Sequence, residues 1–393
     1  MIDIQARKYP TCICSAFGRL FYGAEGRVYF SQVFIDDIGV LGKCYQNNDP
    51  TSSEISDVLD TDGGEILIQN TGAVYDIIPF NTGVLVLASR GIWFVGQQGI
   101  SFSATDYAVQ KISDEGVVGY NSSTESVGSV YYVADSGIHR IAVNENGQIK
   151  SDNLTEFSIN SVIQDFLVQG TTLMYNRKDR TLHVFDAGTN TEFVFEERTQ
   201  GWYKNQYSSG THQSSVYDRD TGQVFLYYST DNTEVTYGFS TKSSDVFEDY
   251  GVTYESFIQS QPETLGKFSH DKRVTSMKVM FQKTEEQITG YDDEAAEYTY
   301  DSPSSCLFTA KWDFDGTGTG LRWTAQRDIY KPLQRKLIPE YYPYPFDTGE
   351  TIISTKLGIR GYGKAIQFRF DAEPNKDMQI LGYTVEYRMR GKQ

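Results

Sequence analysis

Apolar positions along this chain come in short bursts of four to seven residues, separated by polar turns rich in Gly, Asn and Asp. The bursts at 83–88, 129–134, 171–175 and 214–217 each run into such a turn, at Gly91, Gly137, Arg180 and Gly222. A second burst follows each turn, as in Ile92-Trp93-Phe94-Val95 or Thr181-Leu182-His183-Val184-Phe185. Bursts this short, bounded by residues that accept positive φ or bond their own backbone, read as strands joined by hairpins. The four turns are 46, 43 and 42 residues apart, and a second series at Gly99, Gly147, Asn190 and Asn232 is spaced by 48, 43 and 42. Two strand-turn series with a period in the low forties predict a β-propeller.

An earlier hairpin, 19–22 turning through Gly23 to Gly26 into 27–30, lies 65 residues before Gly91, and the excess falls in the polar segment 46–64. Gly266 follows Gly222 by 44 residues in a weaker pattern. Five blades with a sixth as an alternative are expected, over residues 1–250 with 46–64 as an insert. Beyond about residue 250 the apolar segments lengthen, at 273–282, 306–314, 321–330, 365–372 and 378–389. The expectation is an all-β chain: a propeller of five to six blades and an additional antiparallel β-sheet domain at 251–393, itself a candidate to lend a closing blade strand. Within 331–348, Pro332, Pro339, Pro343 and Pro345 exclude helix and central strand.

Composition supports this: 28 Tyr and 23 Phe suit half-buried pleated surfaces. The net charge of −17 argues against gripping DNA or RNA by phosphate neutralisation. It is compatible with a channel past which DNA slides, since a negative wall repels phosphate. Charge is also segregated. Residues 285–301 hold Glu285, Glu286, Asp292, Asp293, Glu294, Glu297 and Asp301 with no Lys or Arg. Residues 356–393 are basic, with Lys356, Arg360, Lys364, Arg369, Arg388 and Arg390 outnumbering the acids there. The acidic insert is a candidate channel or interface surface. The basic region is either an edge guarded against strand pairing or a docking surface for a neighbouring subunit.

Candidate chemistry is sparse. Cys12, Cys14, Cys44 and Cys306 read as structural thiols in a reducing compartment, and no charged-then-apolar leader precedes them. No apolar run approaches the length of a membrane span. His139, His183, His212 and His270 are scattered, and the first two are expected in a shared structural slot of successive repeats. Asp313-Phe314-Asp315-Gly316-Thr317-Gly318 opens like a calcium loop but lacks its closing Glu, and reads as a hairpin turn. No phosphate loop, hydrolase elbow or zincin motif occurs. The expectation is therefore no enzyme, no cofactor, no metal and no catalytic residue. A glycosidase propeller would need two facing carboxylates, and a glycan-binding or glycosidase propeller stays open as the alternative.

Arg90-Gly91-Ile92-Trp93-Phe94-Val95, followed by Phe102-Ser103-Ala104-Thr105, Ser113-Asp114-Glu115-Gly116-Val117 and Tyr131-Tyr132-Val133-Ala134-Asp135-Ser136-Gly137-Ile138, resembles tail proteins of short-tailed bacteriophages, known as the nozzle, tail tubular protein B or tail stabilisation protein. The ending Gly361-Tyr362-Gly363-Lys364-Ala365-Ile366-Gln367-Phe368-Arg369-Phe370, with Leu381-Gly382-Tyr383 and Arg390-Gly391, is similar to that family as well. Several members are larger through insertions. The resemblance implies a virion protein assembled in the host cytoplasm: a homo-hexameric ring beneath the portal and adaptor, touching tail fibre or spike proteins. Its channel would conduct or retain genome DNA without reading its sequence. It brings no catalytic residue.

Overall fold

The computed structural model describes residues 9–35, 38–45, 58–97, 99–167, 170–186, 189–207, 211–229, 237–241, 248–249, 252–266, 268–283, 304–313, 324–331 and 351–389. The chain divides into two compact units, 1–242 and 243–393.

The first unit is a run of antiparallel meanders. β1 (Cys12–Ala16), β2 (Arg19–Ala24), β3 (Arg27–Phe30) and β4 (Gly64–Leu67) form the first blade; β5 (Val74–Phe80), β6 (Gly83–Ala88), β7 (Gly91–Gly96) and β8 (Ala108–Ser113) form the second. The third consists of β9 (Ser123–Glu125), β10 (Ser129–Ala134), β11 (Gly137–Val143) and β12 (Ile149–Asn153), the fourth of β13 (Thr171–Asn176), β14 (Thr181–Asp186), β15 (Thr191–Glu196) and β16 (Gly201–Gln206). A three-stranded sheet of β17 (Thr211–Tyr217), β18 (Val224–Ser229) and β19 (Tyr237–Thr241) follows. Within each sheet neighbours in space are neighbours in sequence, and first strands meet across blades: β5 against β1, β13 against β9, and β17 against β13. Five blades of a β-propeller are thus present among the described residues.

Period-2 alternation explains why the middle strands are apolar on both faces. On β6, Val84, Val86 and Ala88 pack toward the first blade while Leu85 and Leu87 pack toward the third. On β10, Val130 and Tyr132 face the second blade and Tyr131 and Val133 the fourth. Each such Leu, Val or aromatic ring contributes about 1.5–3 kcal/mol by leaving water, so adjacent blades are held by continuous apolar cores. The segment 46–64 runs from the connection after β3 up to the first residue of β4 in the first blade. Buried Arg19 fastens that connection, its guanidinium donating to the carbonyls of Ser31, Asp60 and Asp62.

The equal spacing of the turns proves to be composite. Gly91 and Gly137 lie at the hairpins joining the second and third strands of their blades, whereas Arg180 and Gly222 lie at hairpins joining first and second strands. The first strands themselves begin at residues 12, 74, 123, 171 and 211, at intervals of 62, 49, 48 and 40. Each blade has more than one tight turn with similar chemistry, so a series can step from one turn to another while keeping a near-constant interval.

The second unit opens with a short hairpin, β20 (Glu248–Asp249) and β21 (Val252–Thr253), followed by two facing sheets. One comprises β22 (Phe257–Gln259), β24 (Leu307–Trp312), β25 (Arg327–Asp328) and β27 (Ile366–Asp371), in the order β22-β27-β24-β25; the other comprises β23 (Lys272–Gln282), β26 (Ile352–Gly358) and β28 (Ile380–Met389), with β23 central. Their inward residues, Val274, Met277, Val279 and Phe281 from one sheet and Phe308, Trp312, Phe368 and Phe370 from the other, share one core. This is a β-sandwich whose outward positions face water. Of the calcium-like segment only Asp313 is described, and its Oδ1 accepts the Lys364 backbone N–H at 2.7 Å.

Candidate functional site

Two hairpins share the residues aromatic, Asx, Arg: Tyr175-Asn176-Arg177 and Tyr217-Asp218-Arg219. In the first, Asn176 Oδ1 accepts the N–H groups of Lys178 at 3.0 Å and Asp179 at 3.3 Å, and Arg180 takes a left-handed φ of 57°. In the second, Asp218 Oδ1 accepts the Asp220 N–H at 2.9 Å and Oδ2 the Thr221 hydroxyl at 2.6 Å. Equivalent turns on successive blades put the two arginines side by side. Both reach Glu125 Oε1 at the end of β9, Arg177 Nη2 at 3.0 Å and Arg219 Nη2 in close contact. One carboxylate of the third blade thereby ties the fourth and fifth. Because all three side chains are more than a third exposed, each pair contributes about 0–1 kcal/mol. A cleft of about 280 Å³ beside Glu125 is lined by Pro79, Asn81, Ser126, Gly128 and Val143 among others.

Asp76 on β5 accepts the Ser123 hydroxyl at 2.7 Å. Burial pushes its carboxyl above the usual range and the charge of Glu125 adds to that, while the bonds from Ser123 and the Ile77 N–H oppose it. Burial, with Asp76 adding to it, raises the thiols of Cys12 to about 11 and Cys14 to about 12. Thiols this high carry little thiolate at neutral pH and are poor nucleophiles.

The histidines do not share a slot. His139 lies on the third strand of its blade and faces Tyr132, stacked at 5.1 Å, and Glu115, with Nε2 3.1 Å from its carboxylate. His183 lies on the second strand of the next blade and points toward the fifth, where its Nδ1 meets Glu192 Oε1 at 2.5 Å and its Nε2 meets Thr181 Oγ1 at 2.8 Å. Glu192 Oε2 also accepts Asn205 Nδ2 at 2.8 Å and Tyr207 Oη at 2.7 Å. His212 on β17 stacks face to face on Phe185 at 3.9 Å. Among the described residues no His, Cys, Asp and Glu cluster has the arrangement of a metal site.

The acidic residues Glu285, Glu286, Asp292, Asp293, Glu294, Glu297 and Asp301 lie outside the described residues, as does Arg390. The basic positions are divided between the two sheets of the sandwich. Lys356 and Arg388 lie on the outward face of the three-stranded sheet, Lys356 Nζ 3.1 Å from Glu386. Arg369 lies on the outward face of the other sheet, 2.7 Å from Asp371 and over the Phe257 ring at 4.2 Å. Arg360 and Lys364 are exposed between β26 and β27. Arg273 and Lys278, absent from the basic region expected from sequence, face outward on β23 directly opposite Arg388 and Lys356. The alternation of β23 carries that signal, but the strand lies upstream of the basic region 356–393. The outer face of the four-stranded sheet also carries a groove of about 910 Å³, lined by Glu255, Thr309, Lys311, Gln326, Arg369 and Asp371 among others.

No family model matches the chain, and no curated protein does. Solved structures similar to parts of it include Kluyveromyces marxianus Hsv2, at 13% identity and TM-score 0.32 over 55% of this chain and 57% of that one. Another is dihydro-heme d1 dehydrogenase NirN, at 9% identity and TM-score 0.35 over 59% and 45%. A third is the β-propeller domain of Cps50 (Swd1) from Myceliophteria thermophila, at 8% identity and TM-score 0.31 over 60% and 72%. The chain thus spans about half the length of the first two. At these identities the likeness concerns fold alone; the architecture itself is a β-propeller followed by a β-sandwich.

Proposed function

We propose that this chain is a structural virion protein, one subunit of a tail nozzle ring that extends the portal and adaptor channel of a short-tailed phage. The observation that carries the reading is where the residues of the family resemblance lie. Trp93, Phe94, Tyr131, Tyr132 and Ile138 are buried between blades, and Gly91 and Gly137 close hairpins with φ of 146° and 155°. The shared signature is thus a recipe for rigid blades. Glu125, Arg177 and Arg219 bridge the third, fourth and fifth blades only weakly, and it is the continuous apolar cores between blades that suit a load-bearing wall. In this reading the partners are further copies of the chain in a hexamer, the portal and adaptor, and fibre or spike proteins. DNA passes without sequence-specific contact past a chain of charge −17. The protein works without a cofactor and catalyses no reaction. Electron microscopy of the purified chain, alone and with its portal and adaptor, is expected to give closed rings with a central channel; a chain that remains single in both mixtures refutes the reading.

A glycan-binding role is the second reading. It is favoured by the groove of about 910 Å³, whose lining mixes carboxylates, Thr309, Gln326 and cationic side chains. Sugar hydroxyls both donate and accept, so a mixed lining of low net charge suits them better than it suits a phosphate backbone. Titration with a panel of neutral hexasaccharides checks it, and saturable binding lost in Q326A and E255A is the supporting result.

A further inference from the structure

The three-stranded sheet of the sandwich has an unusual outward face. β23, β26 and β28 contain Lys272, Arg273, Lys278, Lys356 and Arg388 but one acid, Glu386, in a chain with 52 acids and 35 bases. Lys272 is buried and donates to the Lys364 carbonyl at 3.0 Å. The other four bases are exposed on the outer face. Register makes this costly: Arg273 lies directly opposite Arg388, and Lys278 directly opposite Lys356. Like charges at directly opposed positions destabilise a sheet. Glu386, bonded to Ser276 and 3.1 Å from Lys356, relieves one side of this arrangement. Three positive charges in excess remain on the face.

Two like-charge pairs stacked on one face are tolerable when an anionic partner covers them. Genome phosphate is the competing polyanion, and duplex binding distinguishes it from a protein partner. The chain itself supplies the alternative: residues 285–301 hold seven acids and no base. We propose that the face formed by Arg273, Lys278, Lys356 and Arg388 docks a second copy of this chain through its acidic segment 285–301. A basic face and an acidic segment on one chain make a head-to-tail contact, which closes into a ring when the rotation permits. The inference rests on the ring reading and names the surface that would make it.

The test is charge exchange in the full-length chain, with assembly read by mass photometry across a salt series. K278E/K356E and D292K/D293K/E294K should each weaken assembly about tenfold or more, and wild-type assembly should weaken as salt rises. Joining both sets in one chain should restore it, since a general folding defect would not be rescued. K278Q gives a second readout: it should melt no lower than wild type, because a like-charge pair is removed, and still assemble less well. Rings that persist unchanged through both reversals overturn the docking face and leave the ring reading standing. Wild-type chain that stays single with portal and adaptor overturns both. Binding of a short DNA duplex that K278E/K356E abolishes, with assembly intact, assigns the face to phosphate and overturns the inference.

Discussion

Replacing Glu192 with alanine tests whether the fourth blade depends on a buried polar network. The Glu192 side chain is fully buried, and its two oxygens serve His183 at 2.5 Å, Asn205 at 2.8 Å and Tyr207 at 2.7 Å. E192A removes these three acceptor contacts. Breaking such a network on one side costs about 3–5 kcal/mol, more than the sum of net hydrogen-bond contributions at about 1 kcal/mol each, because the abandoned donors stay buried. E192Q keeps the shape and one acceptor oxygen, so about 1–2 kcal/mol is expected. For a unit of this size the loss from E192A corresponds to a fall in Tm of about 6–20 °C. The two units need not melt together, so hydrogen exchange of β14, β15 and β16 amides is the appropriate measurement, isolating the local opening free energy. The reasoning fails if E192A leaves those amides protected to within about 1 kcal/mol of wild type, or if E192Q is as damaging as E192A.

Gly91 has φ of 146°, and a Cβ there would come within 2.7 Å of the Ser113 carbonyl oxygen; G91A should therefore cost about 1–3 kcal/mol from backbone strain alone, visible in a urea titration followed by the fluorescence of neighbouring Trp93. His139 should make the propeller weaker in mild acid. Burial lowers its pKa below the ordinary 6.5 although Glu115 pulls the other way. The unfolded chain then binds the proton more readily than the folded one, so stability falls as pH drops through 6.5 toward the lower folded value. H139Q should flatten the stability–pH curve in that window, and a wild-type curve that instead rises on acidification contradicts the assignment.

What could be read from the sequence was local, and what could not was pairing. The unbroken apolar runs at 83–88 and 129–134 fit strands buried on both faces, because successive residues of a strand point to opposite faces. The turn series marks repeated blades, yet it slides between hairpins after Gly137, since Gly, Asn and Asp mark any tight turn and each blade offers more than one. The arginine of the Tyr-Asx-Arg turns looked like part of the turn chemistry; its partner Glu125 lies 52 and 94 residues away, and only the arrangement of consecutive blades brings the three together. The same holds more strongly for the sandwich. Taken strand by strand, Arg273 and Lys278 are ordinary polar positions on the wet side of a sheet, and so are Lys356 and Arg388. Register turns four unremarkable residues into two opposed like-charge pairs. A solitary cation on an edge strand such as β26 or β28 can be explained as protection against unwanted strand pairing, but that explanation does not extend to β23, which is central and already hydrogen-bonded on both sides. Charge placed on a strand that needs no such protection, opposite charge of the same sign, is better explained by something negative outside the sheet.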